Sequence, residues 1–256
     1  MRMNERLKLC ALAFGILTLS SCRTIYYPNL QNVADLQGKN DANIVFNPSN
    51  LQASWAFTEH FYLQTNLQFK PSAWSDNPEA VTTDFRADRK LAELALGYTK
   101  PFDDQIRFEI GAGAGFGENI FEEERSIIDG PTRYLRYSSQ LTKYYFQPAL
   151  IFRPRPGIGM TFSMRASVLD YYNVQSVNYS FEELSSLNLL DLNVRPHAFA
   201  EPAFGINFSK GRLRLQNQIM WIYRVSDTPI NHQRLKFSFS LIMKLNGKYL
   251  KNTESD

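Results

Sequence analysis

Two cysteines, three histidines and no apolar run long enough for a membrane helix are found in these 256 residues. Each shortage excludes a chemistry. Cys10 lies inside an apolar stretch near the amino terminus that is expected to be removed. The mature chain then keeps Cys22 alone, so neither an internal disulfide nor a cysteine-built zinc or iron–sulfur site can form. Charge of one sign is scarce as well: the formal net charge is +3. With Arg2, Arg6 and Lys8 removed together with Glu5, about +1 remains, too weak a field to draw nucleic acid or anionic lipid. Mean hydropathy of −0.33 looks soluble, but a membrane barrel alternates apolar and polar residues and averages to the same value. Helical periodicity is missing too: no segment carries a convincing amphipathic helix pattern.

Glycine is present, and at an unusual spacing. Residues 106–119, IRFEIGAGAGFGEN, place Gly111, Gly113, Gly115 and Gly117 at every second position. A dinucleotide fingerprint needs glycines at relative positions 1, 3 and 6, and no frame here supplies them. The intervening residues Ile106, Phe108, Ile110, Ala112, Ala114 and Phe116 are all apolar. That period of two describes a strand with one apolar face and one small or polar face.

The first residues, MRMNERLKLCALAFGILTLSSC, read as a basic region, a short apolar run over 9–19 and a terminal cysteine. Leu19-Ser20-Ser21-Cys22 resembles the bacterial lipobox, which implies cleavage before Cys22 and its acylation. An ordinary signal peptide with an incidental cysteine is the alternative. The following residues carry neither an aspartate at the second position nor an acidic cluster. For a lipoprotein this implies an anchor in the periplasmic leaflet of the outer membrane, delivered by lipoprotein-sorting and barrel-assembly machinery.

From Ala42 onward the alternation recurs. In FYLQTNLQFK, Phe61, Leu63, Thr65, Leu67 and Phe69 oppose Tyr62, Gln64, Asn66, Gln68 and Lys70. About ten such strands follow one another, with eight as the other candidate count. Many approach the 9–11 residues that a tilted strand needs to cross a bilayer. The links after the second, fourth, sixth and eighth are short. Those at 71–89, 118–139 and roughly 175–195 are long, and 225–233 is intermediate. Only the first link, NPSN, breaks the pattern; strand direction alternates, so the other short links fall at one end, with both barrel termini, as in outer-membrane barrels. The organisation expected is a signal peptide at 1–21, a lipid-anchored segment at 22–40, an up-and-down antiparallel transmembrane β-barrel at 41–246 and a polar tail at 247–256.

A soluble calyx with its apolar face turned inward around a ligand also alternates. The second face is instead rich in Gln, Ser, Thr, Asn and Gly with few charges, which suits a crowded lumen better than a water-facing surface. Apolar-face aromatics gather toward strand ends (Phe69, Tyr98, Phe116, Tyr144, Phe208 and Trp221), as interfacial girdles require. The lipobox, YYPNLQNV, LQASWAFTEHFYLQTN, GAGAGFGEN, FQPALIF and FAEPAFGINF together resemble the small outer-membrane β-barrel lipoproteins of Bacteroidota. The resemblance implies a Gram-negative envelope location, with the amino terminus lipid-anchored on the periplasmic side and the long loops extracellular. It brings no activity.

Chemistry is sparse. An Asp227–His232 dyad, or His197 with a nearby serine, would be the nearest thing to a catalytic group, but no second acid or nucleophile supports either. Solvated loop histidines are the simpler expectation, and no enzymatic activity, cofactor or metal is expected. Glu93, Glu109 and Glu201 should face Arg107, Arg165 and Arg214 across the lumen, as a selectivity constriction or as a salt-bridged plug. The acidic stretches at 118–134 and 179–188 are read as solvated loop, or as a surface for an unknown partner. The function expected is therefore a structural or interaction role, or narrow passage of a small solute. A ligand-binding periplasmic calyx and a rim enzyme acting on lipid or peptide are the alternatives.

Overall fold

A computed structural model describes residues 24–70, 83–125 and 131–246. Its strands are β1 (Ala42–Asn47), β2 (Asn50–Ala56), β3 (Phe61–Lys70), β4 (Thr83–Pro101), β5 (Ile106–Arg125) and β6 (Arg133–Arg155). After β7 (Ile158–Val177) come a one-turn helix α1 (Phe181–Ser186), then β8 (His197–Lys210), β9 (Leu213–Trp221), β10 (Tyr223–Arg224) and β11 (Leu235–Asn246). Each strand pairs antiparallel with its sequence neighbour, and β1 closes the ring on β11, from Ala42 opposite Asn246 to Phe46 opposite Leu241. β10 continues β9 in the same register along β8. The interruption, at Ile222, falls opposite Glu201 and next to Pro202, which has no N–H to donate. The result is a closed, antiparallel ten-stranded barrel.

The alternation resolves into an apolar outside and a polar inside. Along β3, Tyr62, Gln64, Asn66 and Gln68 are buried while Phe61, Leu63, Leu67 and Phe69 are exposed. The same inversion of soluble-protein burial holds at Leu94, Leu96, Phe116, Phe162, Phe237 and Phe239, all more than half or nearly half exposed. Sequestering a polar face and exposing a greasy one costs free energy in water and is favourable in a bilayer. A calyx needs the apolar faces turned inward, so that reading does not describe this barrel.

The glycines of β5 lie on the inner face, where they leave room for bulky neighbours. A Cβ on Gly113 would come 2.8 Å from the Tyr145 ring, one on Gly115 2.7 Å from Glu93 Cγ, and one on Gly97 of β4 2.0 Å from the Tyr62 ring. The small residues are thus the complement of the large ones across the wall.

Several expectations are corrected. The stretches at 83–89, 118–125, 133–139 and 175–177 are strand, not loop. β4 to β7 run 19 to 23 residues, longer than a bilayer crossing needs, because the hairpins continue beyond the apolar belt into water. There the outward face turns polar, as at Arg86, Asp88, Glu118, Glu122, Arg136 and Gln140. A helix is present where none was anticipated: α1 starts from a capping box in which the Ser180 side chain accepts from the Glu183 amide and Glu183 accepts from the Ser180 amide. Within the segment expected at 22–40, the described residues from Thr24 lie inside the barrel, a placement the sequence reading did not anticipate.

Gly97→Ala is expected to destabilise the folded barrel by about 1–3 kcal/mol through overpacking against Tyr62. Gly111→Ala, whose Cβ would meet nothing nearer than 3.8 Å, should stay within about 0.5 kcal/mol. Urea unfolding of the detergent-folded proteins measures both.

Candidate functional site

Residues 24–36 run through the lumen in extended form, and a reversal at 37–41 leads into β1. Their burial is nearly complete: Asn29 and Ala34 are 0% exposed and Gln31 is 1% exposed. An extended chain carries peptide N–H and C=O groups on both sides, and inside a barrel each needs a partner. The inward side chains of the wall supply them.

At the long-loop end, the Ile25 and Tyr26 amides both donate to the Asn231 carbonyl (2.9 and 3.1 Å), and the Gln233 amide donates back to Tyr26 O. This is a short parallel bridge to the β10–β11 connection. Arg89 donates to the Thr24 carbonyl. The Tyr26 ring lies on Phe199 with centroids 4.4 Å apart, and its hydroxyl donates to Glu201.

Midway, Lys236 Nζ donates to Pro28 O at 2.6 Å and sits over the Tyr27 ring. Gln52 and Arg165 both donate to Leu30 O, at 3.1 and 3.3 Å. Gln218 and Gln31 exchange two hydrogen bonds, at 3.0 and 3.3 Å. Gln147 donates to Asn32 O, and Asn32 Nδ2 to Ser54 Oγ.

At the short-turn end, the Glu109 carboxylate accepts the amides of Ala34 and Asp35 at 3.0 and 2.8 Å. Arg107 donates to Leu36 O. The Asp35 carboxylate bridges Arg153 and Arg214. Asp35 itself adopts the left-handed region with φ 50°, a conformation that aspartate tolerates better than most residues. Beside this clamp a cavity of about 290 Å³ opens, lined by Arg153, Arg214, Lys244 and Asn207 among others.

All six charges singled out in the sequence, Glu93, Arg107, Glu109, Arg165, Glu201 and Arg214, are buried on the inner wall. Arg165 stands opposite Glu201 in the β7–β8 register, and Glu109 interacts electrostatically with Arg107 and Arg214. Arg107, Glu109, Arg165, Glu201 and Arg214 each also bind the threaded segment, and Glu93 pairs with Lys143 at 3.1 Å and accepts from Asn66 at 2.9 Å. Cys22 lies outside the described residues. Sequence reasoning missed Tyr26, Gln31, Asp35, Arg89, Lys143 and Lys236. A usable sign was present: residues 24–38, TIYYPNLQNVADLQG, carry a single charge, Asp35, where a solvated tether would be charged.

The long-loop end is capped. Ile25 and Tyr26 join an apolar cluster with Leu169, Tyr171, Phe199, Ile222 and Ile230, onto which Leu189 and Leu192 of the 178–196 connection fold. Glu183 of α1 ties this cap to the hairpins through Arg125 (2.6 Å) and Arg133 (3.0 Å). The Ser180 backbone amide and these guanidiniums hold the Glu183 carboxyl below the ordinary glutamate range. His197 is not a solvated loop residue. It opens β8 facing inward, fully buried, with Nε2 3.0 Å from Leu192 O and its ring edge-on to Tyr171. His232 Nδ1 lies 3.1 Å from Ile230 O, and its ring is edge-on to Phe199. Both histidines are fixed by the cap, and no dyad with Asp227 is formed. His60 is exposed in the β2–β3 turn. Among the described residues, no three of His, Cys, Asp or Glu are grouped to hold a metal ion.

No protein-family model and no curated protein matches the sequence. Among solved structures, the chain is similar to CarO of Acinetobacter baumannii, with 9% identity, TM-score 0.34, and coverage of 82% of this chain and 98% of that one. The outer membrane protein OprG of Pseudomonas aeruginosa gives 8% identity and TM-score 0.33 over 83% and 100%. LpxR of Salmonella typhimurium gives 8% and 0.33 over 81% and 99%. Likenesses this distant carry nothing about activity, and the barrel assignment stands on its own closed pairing.

Two outcomes follow from this geometry. Asp35→Ala removes the carboxylate between Arg153 and Arg214 and is expected to cost on the order of 3 kcal/mol, read by urea unfolding in detergent. For the cap, a carboxyl whose folded pKa is depressed contributes stability above its unfolded pKa of about 4.3 and loses it as pH falls further. The protection factors of amides in 178–190, with the intrinsic exchange rate divided out at each pH, should therefore fall between pH 5 and about pH 3, and Glu183→Gln should remove that fall.

Proposed function

We propose that this protein is an outer-membrane barrel of the Bacteroidota lipoprotein type, acylated at Cys22, with its short turns in the periplasm and its long hairpins outside. Its role is structural or interaction-based rather than catalytic. The observation that carries this reading is the lumen itself, filled from 24 to 36 by the chain's own amino-terminal segment and capped by 178–196. A lumen whose side chains are committed to that segment is occupied along its length, which weighs against the passage reading. What the barrel offers instead is a rigid wall bearing tall hairpins, a platform for a partner at the outer face. The apolar exterior supports membrane insertion, and the lipobox supports the anchor.

Planar-bilayer recording of the full mature chain tests this. The expected result is no stepwise conductance above the detergent control, at either polarity. Reproducible single-channel steps from the unaltered protein would establish an open pore and overturn the reading.

A further inference from the structure

The wall of the barrel is not continuous at its long-loop rim. β9 and β11 stay paired as far as Trp221 opposite Leu235, and one more bond, from the Ile222 amide to Arg234 O at 2.8 Å, ends their ladder. Beyond it the two chains part. β10 goes on along β8 alone, with Tyr223 opposite Ala200 and Arg224 opposite Phe199. The β10–β11 connection turns inward instead, where Asn231 O takes the amides of Ile25 and Tyr26. The parting leaves a notch in the wall, an open cavity of about 610 Å³.

Its lining has two characters. Trp221, Tyr223 and Leu235 belong to the outer wall, at the top of an apolar surface that continues downward through the exposed Phe237 and Phe239. Arg224 and Arg234, both exposed, line the same cavity. No carboxylate lines it, and neither guanidinium has an acid or a hydrogen-bond acceptor as partner among the described residues. Arginines elsewhere at this end are compensated: Arg86 and Arg136 reach Glu122, and Arg125 and Arg133 reach Glu183. The inner side of the notch is tied to the cap, since Asn188 Nδ2 donates to Asn231 Oδ1 at 3.3 Å and Asn231 Nδ2 to Leu187 O at 3.1 Å.

We infer that this notch binds the phosphate of an anionic lipid in the leaflet at the long-loop face, with Arg224 and Arg234 on the phosphate and Trp221, Leu235 and Phe237 alongside the acyl chains. The inference rests on the membrane insertion proposed above and holds for either orientation of the barrel. Two observations select this occupant. A guanidinium presents paired N–H donors that match phosphate oxygens, and two of them without an acid leave the cavity with uncompensated positive charge. Trp and Tyr on the outer wall mark the level of the head groups, so a phosphate held there keeps its acyl chains against the apolar belt. A soluble phosphate ester gains nothing from that second feature. Long-range attraction plays no part, because the net charge of the chain is small. The arginine pair acts locally, within a Debye length of about 8 Å.

Native mass spectrometry of the full mature chain, folded in neutral detergent, tests this with phosphatidylglycerol against zwitterionic phosphatidylcholine. The expected result is about tenfold tighter retention of phosphatidylglycerol, the scale of two exposed charge-assisted contacts. Arg224→Gln with Arg234→Gln should erase that preference, and Arg224→Lys with Arg234→Lys should keep most of it. Arg86→Gln with Arg136→Gln, which removes the same charge elsewhere on the rim, should leave it unchanged. Equal retention of the two lipids, or a preference that survives the Arg224 and Arg234 glutamine pair, overturns the site. A preference lost equally in the Arg86 and Arg136 pair reduces it to total charge and overturns it too. Displacement of the bound lipid by millimolar inorganic phosphate assigns the notch to a soluble phosphate source and overturns the lipid. Flotation with phosphatidylcholine vesicles separates this inference from the reading beneath it: a chain that does not float fails the membrane reading, and one that floats without preferring phosphatidylglycerol fails only the notch.

Discussion

A closed β-barrel turned inside out has one demanding requirement, the hydrogen-bonding of its interior. The ladder satisfies the wall's own peptide groups, but the inward amides, carboxylates and guanidiniums are withdrawn from bulk water and each costs free energy if left alone. Ten strands enclose too wide a lumen for the wall's side chains to meet across it everywhere. An extended peptide solves this, since it presents donors and acceptors on opposite sides along its length. Gln52, Gln68, Gln147, Gln218, Arg165 and Lys236 converge on the carbonyls of 24–36 for this reason.

The two ends of the lumen are sealed by different physics. At the short-turn end the lock is electrostatic: one carboxylate between two guanidiniums, with Glu109 holding two successive amides. At the long-loop end it is mainly apolar, a cluster from 25–26, the upper walls and the 178–196 connection, tied down by Glu183 on Arg125 and Arg133. Asp35 and Arg214 are buried, so salt screens this lock far less than an exposed ion pair. The middle, held by neutral amides and two cations, fixes register along the segment, because a slip of one residue would turn every carbonyl away from its donor.

Much of the barrel was legible in the sequence. Period-two alternation located the strands and their faces, because each face meets a different solvent and the composition of the two faces follows. The glycines of β5 read correctly as lumen residues, small residues at four successive inward positions that leave room for bulky neighbours. Strand length was not legible above the belt: once both faces meet water or loop, alternation loses its contrast, and Glu118–Arg125 and the residues after Arg133 look like loop. The lumen charges were legible as lumen charges, but the segment that most of them also bind was not. The clue to it was a near-neutral, amide-rich stretch in 24–38, whose meaning depends on a topology that only the fold reveals. Ser180 and Glu183 carried a capping-box signature for α1 that a search confined to long periodic helices passes over.

The threaded segment is the centre of this account, and backbone amide exchange across 24–36 tests it most directly. In the detergent-folded protein, peptides from this region should exchange nearly as slowly as those from β3 and β8, because the segment is excluded from water and the amides of Ile25, Tyr26, Gln31, Ala34 and Asp35 are bonded. Exchange as fast as that of the exposed turns would mean that the segment lies outside the barrel, and would contradict the account.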